Sequence, residues 1–356
     1  MLSYRKGKVV EIEDQQKDIT FIKVSINGEV SRAINYDGMV GNVKVGDIVI
    51  VNTTAVELSL GTGGFHFVIF NYCNESKELE GEGHIMKLRY TPLQLKCLAA
   101  EEENSQYHEI FTNFESLDGH YFIVGTLHSM LAPIVSMLKW KKRDIKINYI
   151  MTDGGSLPIS FSNTVRLLKE KGLIYKTITI GHAFGGDLEC VNIYTGLIAA
   201  KEILKGDVTI ITMGPGIVGT GTKYGFSGVE QGQIIDAINT LGGNPVIVPR
   251  ISFRDPRGRH RGISHQTRTV LSEIAKTTGQ VIIPELDKEK LDIINEQVKS
   301  LQLDKKFDFV YEQGDEIIDA MNYYGLATTT MGRGYQQDKE FFLTLGAVGS
   351  YLAKKL

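Results

Sequence analysis

Cysteine is scarce in this chain: Cys73, Cys97 and Cys190 are widely spaced, odd in number and form no CxxC pair. A disulfide framework and a cysteine-rich zinc site are therefore disfavoured, and a reducing cytoplasm is the expected setting. Long apolar runs are missing too. No stretch approaches the roughly 18 residues of a membrane span, and the opening MLSYRKGKVVEIED meets charge before any signal-peptide core. No membrane role is expected. Charge of one sign is also lacking: the net value at pH 7 is -3 over 356 residues. The surface as a whole is thus not built to attract nucleic acid. There is no Gly-x-Ser-x-Gly elbow, no His-Glu-x-x-His helix and no Gly-Lys-Ser/Thr phosphate loop, which disfavours an α/β-hydrolase, a zincin and a P-loop NTPase.

What the chain has in quantity is glycine, 38 residues, concentrated in loops that follow apolar runs. Between residues 119 and 284 a short β-branched or aliphatic run repeatedly gives way to a polar loop and then to a helical pattern. YFIVG leads to Thr126, Leu127 and His128; IKINYIM to Thr152, Asp153, Gly154 and Gly155; YKTITI to Gly181, His182 and on to Asp187. DVTIITM leads to a Gly-rich stretch, and NPVIVPRISF to Arg254, Asp255, Pro256 and Arg257. Open parallel sheets bind ligands beyond the carboxyl ends of their strands, so these five loops predict one shared pocket.

A chain of this length is expected to form two domains. Residues 1–72 read as short strands with turns at Asn27-Gly28, Asp37-Gly38 and Gly46-Asp47, a pattern that predicts a small β-barrel or β-sandwich. Residues 73–83 form a polar linker. TPLQLKCLAAEEE predicts a helix entered at Thr91-Pro92. Residues 84–356 are expected to form a mostly parallel, three-layer, Rossmann-like α/β domain, with a strand at LATTTM and a closing helix capped by Asp338.

Gly214, Gly216, Gly219, Thr220 and Gly221 lie in a GxGxxG-spaced loop where backbone N–H groups could approach an anion. Thr222 to Gly228 delay the following helix, and no acidic residue ends the next strand. Both features separate the loop from a dinucleotide-binding turn, and a tight structural turn is the equal alternative. RDPRGRHRGISHQTR carries Arg254, Arg257, Arg259, Arg261 and Arg268 with Asp255, His260 and His265. Guanidinium groups this dense repel one another unless an anion, an acidic partner or open water relieves them. Anion binding is the reading preferred over a solvated loop, with Ser264 a helix N-cap. Arg333, in MGRG, adds one more anion contact.

Asp153, His182, Asp187 and His265 are the candidates for proton transfer or metal chemistry. Asp187 also suits an N-cap, and Asp153 a turn. No short ligand spacing supports a metal, and nothing in the sequence names a cofactor.

The stretches MTDGGSLPISFS, TITIGHAFGGDLECVNIYTGL, TMGPGIVGTGTKYGFSG, RISFRDPRGRHRGISHQT and TTMGRG, with NTTAVELSLGTGGFHFVIFN near the front, resemble a bacterial family, the domain of unknown function DUF 3866, found mainly in Gram-positive lineages. The resemblance implies a cytoplasmic bacterial protein and transfers no activity, substrate or catalytic residue. From the residues themselves the first expectation is an enzyme acting on a small phosphorylated or otherwise anionic metabolite, a nucleotide included. A ligand-sensing or scaffold protein using the same pocket is the second. Nucleic-acid binding through the β-domain and basic loop is the least supported, and a homo-oligomer is compatible with everything above.

Overall fold

Apolar and polar residues alternate along the opening strands because one face of each strand turns into a barrel. β1 (Tyr4–Gln16), β2 (Ile19–Ile26), β3 (Glu29–Asn35), β4 (Ile48–Asn52) and β5 (His66–Asn71) pair in the order β1-β2-β3-β5-β4, and β4 returns to β1. Short helices α1 (Asp37–Val40) and α2 (Thr54–Glu57) interrupt the run. Val9, Ile22, Val24, Val49, Val51 and Val68 fill the interior. The β3–β5 pair is parallel and the others antiparallel, which is the order and orientation of an OB-fold. The barrel alternative is thus the one realised. The computed structural model describes residues 1–60 and 63–356; Gly61 and Thr62, inside NTTAVELSLGTGGFHFVIFN, lie outside the described residues.

The chain divides into two units, Met1–Cys97 and Leu98–Leu356. The first ends in an antiparallel hairpin of β6 (Ile85–Lys87) and β7 (Leu95–Cys97), so the helix expected from Thr91 does not form. Leu88 and Tyr90 take positive φ of 50° and 61°, and they lie in the turn between the two strands. Leu93, Leu95 and Cys97 then follow the two-residue period of a strand.

The second unit opens with α3 (His108–Thr112), β8 (Tyr121–Val124), α4 (Leu131–Lys141), β9 (Ile147–Thr152), α5 (Asn163–Glu170), β10 (Lys176–Ile180) and β11 (Leu188–Cys190). α6 (Ile193–Ile198), β12 (Val208–Met213), α7 (Glu230–Thr240), β13 (Asn244–Ile247) and the two-residue strands β14 (Ile251–Ser252) and β15 (Gly262–Ile263) follow. α8 (His265–Thr269), β16 (Gln280–Pro284), α9 (Lys288–Ser300), β17 (Asp308–Glu312), α10 (Ile317–Tyr323) and α11 (Lys339–Lys355) complete it.

Eight of these strands form one sheet, β11-β10-β9-β12-β8-β13-β16-β17, parallel throughout. β9 and β12 are buried at every residue, as expected of strands covered on both faces. α4, α5, α10 and α11 pack on one face and α6, α7 and α9 on the other. Burying Phe341, Phe342, Leu345, Val348 and Leu352 of α11 stabilises the unit by roughly 1.5–3 kcal/mol for each side chain. LATTTM forms no strand: β17 is the sheet's edge, and Thr330 and Arg333 instead exchange backbone hydrogen bonds of 2.8 and 2.9 Å in a tight turn.

The topology has a switch point. From β8 the chain crosses one face through α4 to β9, leaving a gap that β12 later fills; from β12 it crosses the opposite face through α7 to β13. Connections that leave neighbouring strands toward opposite faces open a crevice at their carboxyl ends.

Candidate functional site

A basic cleft is there, but it is formed by only two of the five loops expected to share one pocket, those after β12 and β13. Ile217, Val218, Gly219 and Gly221 from the β12 loop face Arg250, Arg257, Arg259, His260, His265 and Gln266 from the β13 loop, with Met331 at the margin, around a cleft of about 200 Å³. The two loops approach closely. A Cβ at Gly219 would stand 3.2 Å from Gln266 Nε2, and one at Gly221 3.7 Å from Arg259 Nη2. Gly214, Gly216 and Thr220 sit on the same loop without lining the cleft; Thr220 spends its N–H and hydroxyl on the carbonyl of Gly225 at 2.8 and 3.0 Å.

The β14–β15 pair explains the sorting of the arginines. Ile251 opposes Ile263 and Ser252 opposes Gly262, so residues 253–261 form the loop of a small antiparallel hairpin. Arg257, Arg259 and His260 fall on the cleft side. Arg254 and Arg261 fall elsewhere, in a separate cavity of about 290 Å³ with Phe253, Asp287, Lys290 and Glu340. Arg254, expected among the anion ligands, is therefore not one of this group.

Asp255 is a counter-ion. Its side chain is fully buried; Arg257 Nε and Nη2 donate to it at 2.9 Å each, and Arg250 Nη2 stands at 3.3 Å. The hydrogen bonds from Arg257 hold this carboxyl well below the usual carboxylate range. Arg333 lies 3.6 Å from Asp255 and pairs with Asp338 at 3.0 Å, while Asp338 also accepts from Ser252 Oγ at 2.7 Å. Asp338 thus makes no side-chain cap on α11. Three guanidinium groups, of Arg250, Arg257 and Arg259, line the cleft, and the carboxylate of Asp255 pairs with two of them, which leaves the crevice positive.

Two imidazoles complete it. His260, 2% exposed, has Nδ1 2.8 Å from Ser264 Oγ, and its ring centroid is 4.9 Å from that of His265. Burial, with Arg250 and Arg257 nearby, pushes His260 down to about 4. Burial and then Arg259 and Arg268 depress His265 as well. Both shifts favour the neutral ring, which carries a lone pair. Ser264 caps α8 as expected, accepting from the N–H of Gln266.

Asp153 and His182 form a second group on the same sheet edge, beyond β9 and β10. The N–H of His182 donates to Asp153 Oδ2 at 3.1 Å, and a Cβ at Gly181, whose φ is +62°, would overlap that oxygen. Neither residue lines the cleft. Beside them stands Glu230, first residue of α7, whose Oε1 accepts from Thr152 Oγ1 at 2.7 Å. Burial, and then the charge of Asp153, raise its pKa to about 7, although a helix N-terminus ordinarily favours the carboxylate. The β12 loop that walls the cleft delivers Glu230 at its end. Glu230 is not among the sequence candidates, because a glutamate in the first turn of a helix is ordinary there.

Asp187 is brought to the opposite end of β10. Its Oδ2 accepts from the N–H and hydroxyl of Thr177, at 2.8 and 2.7 Å, and from Lys169 at 2.9 Å. It caps no helix, since Leu188–Cys190 forms β11 and Asn192 caps α6. The loop from Gly181 runs back along β10 to begin a parallel strand, and this separates Asp187 from His182. His128, a weaker candidate, is tied to Ser162 Oγ at 2.6 Å and Tyr149 Oη at 3.3 Å, and burial pushes it down to about 4. Among the described residues no group of three or more His, Cys, Asp or Glu side chains is placed to hold a metal ion, and no helix is long and apolar enough to cross a membrane.

Residues 32–349 match the family described as "Protein of unknown function (DUF3866)", and the chain belongs to that family. No curated protein matches it.

Proposed function

We propose that this DUF3866 family member is an enzyme acting on a small phosphorylated metabolite, whose anionic group sits in the crevice between the β12 and β13 loops. The observation that carries the reading is the excess of guanidinium groups at a topological switch point, opposite a glycine-lined wall. Arginine forks bind phosphate or carboxylate bidentately, and Gly219 and Gly221 let backbone come near without side chains intervening. A volume of about 200 Å³ is small beside the roughly 300–1,000 Å³ that encloses a whole ligand, so it suits a phosphate head group whose remainder extends over the exposed rim. Two neutral imidazoles in the same crevice supply what a purely structural basic patch would not need.

Thermal denaturation with inorganic phosphate and a panel of phosphorylated metabolites tests this. A ligand at about a hundred times its Kd should stabilise the native state by about 2.7 kcal/mol, and Arg257→Ala and Arg259→Ala should each reduce or abolish the shift. No stabilisation by any anion, or stabilisation untouched by both substitutions, would overturn the assignment. Turnover of the stabilising ligand, followed by phosphorus NMR, separates an enzyme from a sensor.

A further inference from the structure

Of the two imidazoles in the crevice, only one is placed to react. His260 is almost wholly buried and has Nδ1 engaged by Ser264. His265 is half-buried, lines the cleft and hydrogen-bonds through its ring to no described residue. It is the first residue of α8, held by the Ser264 cap and flanked by His260 at 4.9 Å and Phe226 at 6.5 Å between ring centroids. Its position is therefore set by packing while its nitrogens stay available. Arg257 and Arg259 line the same cleft, where guanidinium groups would neutralise the charge gathering on phosphoryl oxygens as a bond to phosphorus forms.

We propose that His265 is a nucleophile that takes the phosphoryl group of a phosphomonoester onto a ring nitrogen, an inference that rests on the anion-binding reading of the crevice. In the first step the nitrogen lone pair forms an N–P bond. The ester P–O bond breaks with its electron pair, and the leaving oxygen takes a proton from water. In the second step water attacks phosphorus and gives a proton to the hydroxide left by the first, the N–P electron pair returns to the imidazole, and inorganic phosphate leaves. The overall reaction is hydrolysis and needs no oxidant, reductant or further co-reactant. Covalent participation of this kind divides one difficult displacement into two easier ones. His260, through Ser264 and its contact with the His265 ring, acts as a positioning residue.

The test uses the full chain and p-nitrophenyl phosphate as donor. After quenching under alkaline denaturing conditions, which preserve a phosphoramidate, intact mass should show the gain of one phosphoryl group. The gain should vanish on acid treatment, map to the peptide containing His265, and be absent from His265→Gln while that variant keeps the cooperative thermal transition of the wild type. A phosphate-dependent shift without any adduct, or an adduct that persists in His265→Gln, would overturn the inference and leave the anion-binding reading standing. Absence of both shift and adduct would remove both. Should His265→Gln fail to fold, the mapped site of the wild-type adduct decides the matter: His265 supports the proposal, and any other residue overturns it.

Discussion

Replacing Glu230 with glutamine should make the protein more stable above neutral pH, and the reasoning can be followed to a magnitude. In the unfolded chain this carboxyl loses its proton near its ordinary value of 4.5; in the native state it does so near 7. Between those values the folded protein holds a proton that the unfolded chain has given up. The contribution to stability is thus complete below pH 4.5, falls as pH rises through the window, and is lost above 7. At about 1.4 kcal/mol per pH unit the ceiling is about 3 kcal/mol, and the half-buried setting reduces it to about 2 kcal/mol. Glutamine keeps an oxygen that accepts from Thr152 Oγ1 and carries no charge to desolvate. For a unit of this size each kcal/mol moves Tm by about 2–4 °C. Wild type and Glu230→Gln should melt together at pH 4, separate above it, and reach a gap of about 4–8 °C at pH 8 with the variant higher. Melting curves that stay parallel across the range, or a wild type that melts higher at pH 8, would refute the argument that this carboxylate is held at a cost.

Two further outcomes follow from the packing. Asp255→Ala removes the counter-ion of Arg250, whose side chain is 4% exposed. An uncompensated buried charge of this kind costs roughly 3–5 kcal/mol, so Tm should fall sharply without added anion and recover with inorganic phosphate more than wild type gains; a variant as stable as wild type in phosphate-free buffer would contradict the network. Gly314→Ala places a Cβ into the carbonyl of Leu343 in α11, which should cost on the order of 3 kcal/mol or more, whereas Gly258→Ala, with nothing within 4 Å, should stay within about 0.5 kcal/mol by urea denaturation.

Much of the architecture was legible because burial leaves a pattern in composition. Strands covered on both faces are apolar at most positions, and INYIMT and VTIITM announce β9 and β12 for that reason. Where burial is one-sided or absent the pattern weakens. LATTT is β-branched, yet it joins no sheet, and Thr330 and Arg333 close a tight turn instead. TPLQLKC has a helix-entry signal and a strand period together, and the pairing of Leu95, Lys96 and Cys97 with Lys87, Met86 and Ile85 realises the strand. Closure of β1 to β5 into a barrel depends on β3 meeting β5 and β4 returning to β1, contacts that alternation along any one strand does not encode.

The site was legible to the extent that charge density is a local property. Arg257, Arg259, His260 and His265 could be picked out because so many guanidinium groups within one loop require relief. Their division could not be read. Arg254 and Arg257 are three residues apart in the same loop, and which one faces the crevice is set by the pairing of Ile251 with Ile263, a contact between segments that carry no mutual signal in the sequence. Asp255 shows the same limit from the other side: among arginines an aspartate reads as a ligand contact, and only its complete burial against Arg250 and Arg257 identifies it as the charge that holds those groups before an anion arrives. An entering phosphate would therefore compete with Asp255 for Arg257, the most exposed of its three partners, while Arg250 stays anchored. On the proposed reading, affinity in this crevice would be governed by how readily one guanidinium exchanges a buried carboxylate for a ligand oxygen, a property of the pair that neither residue reveals alone.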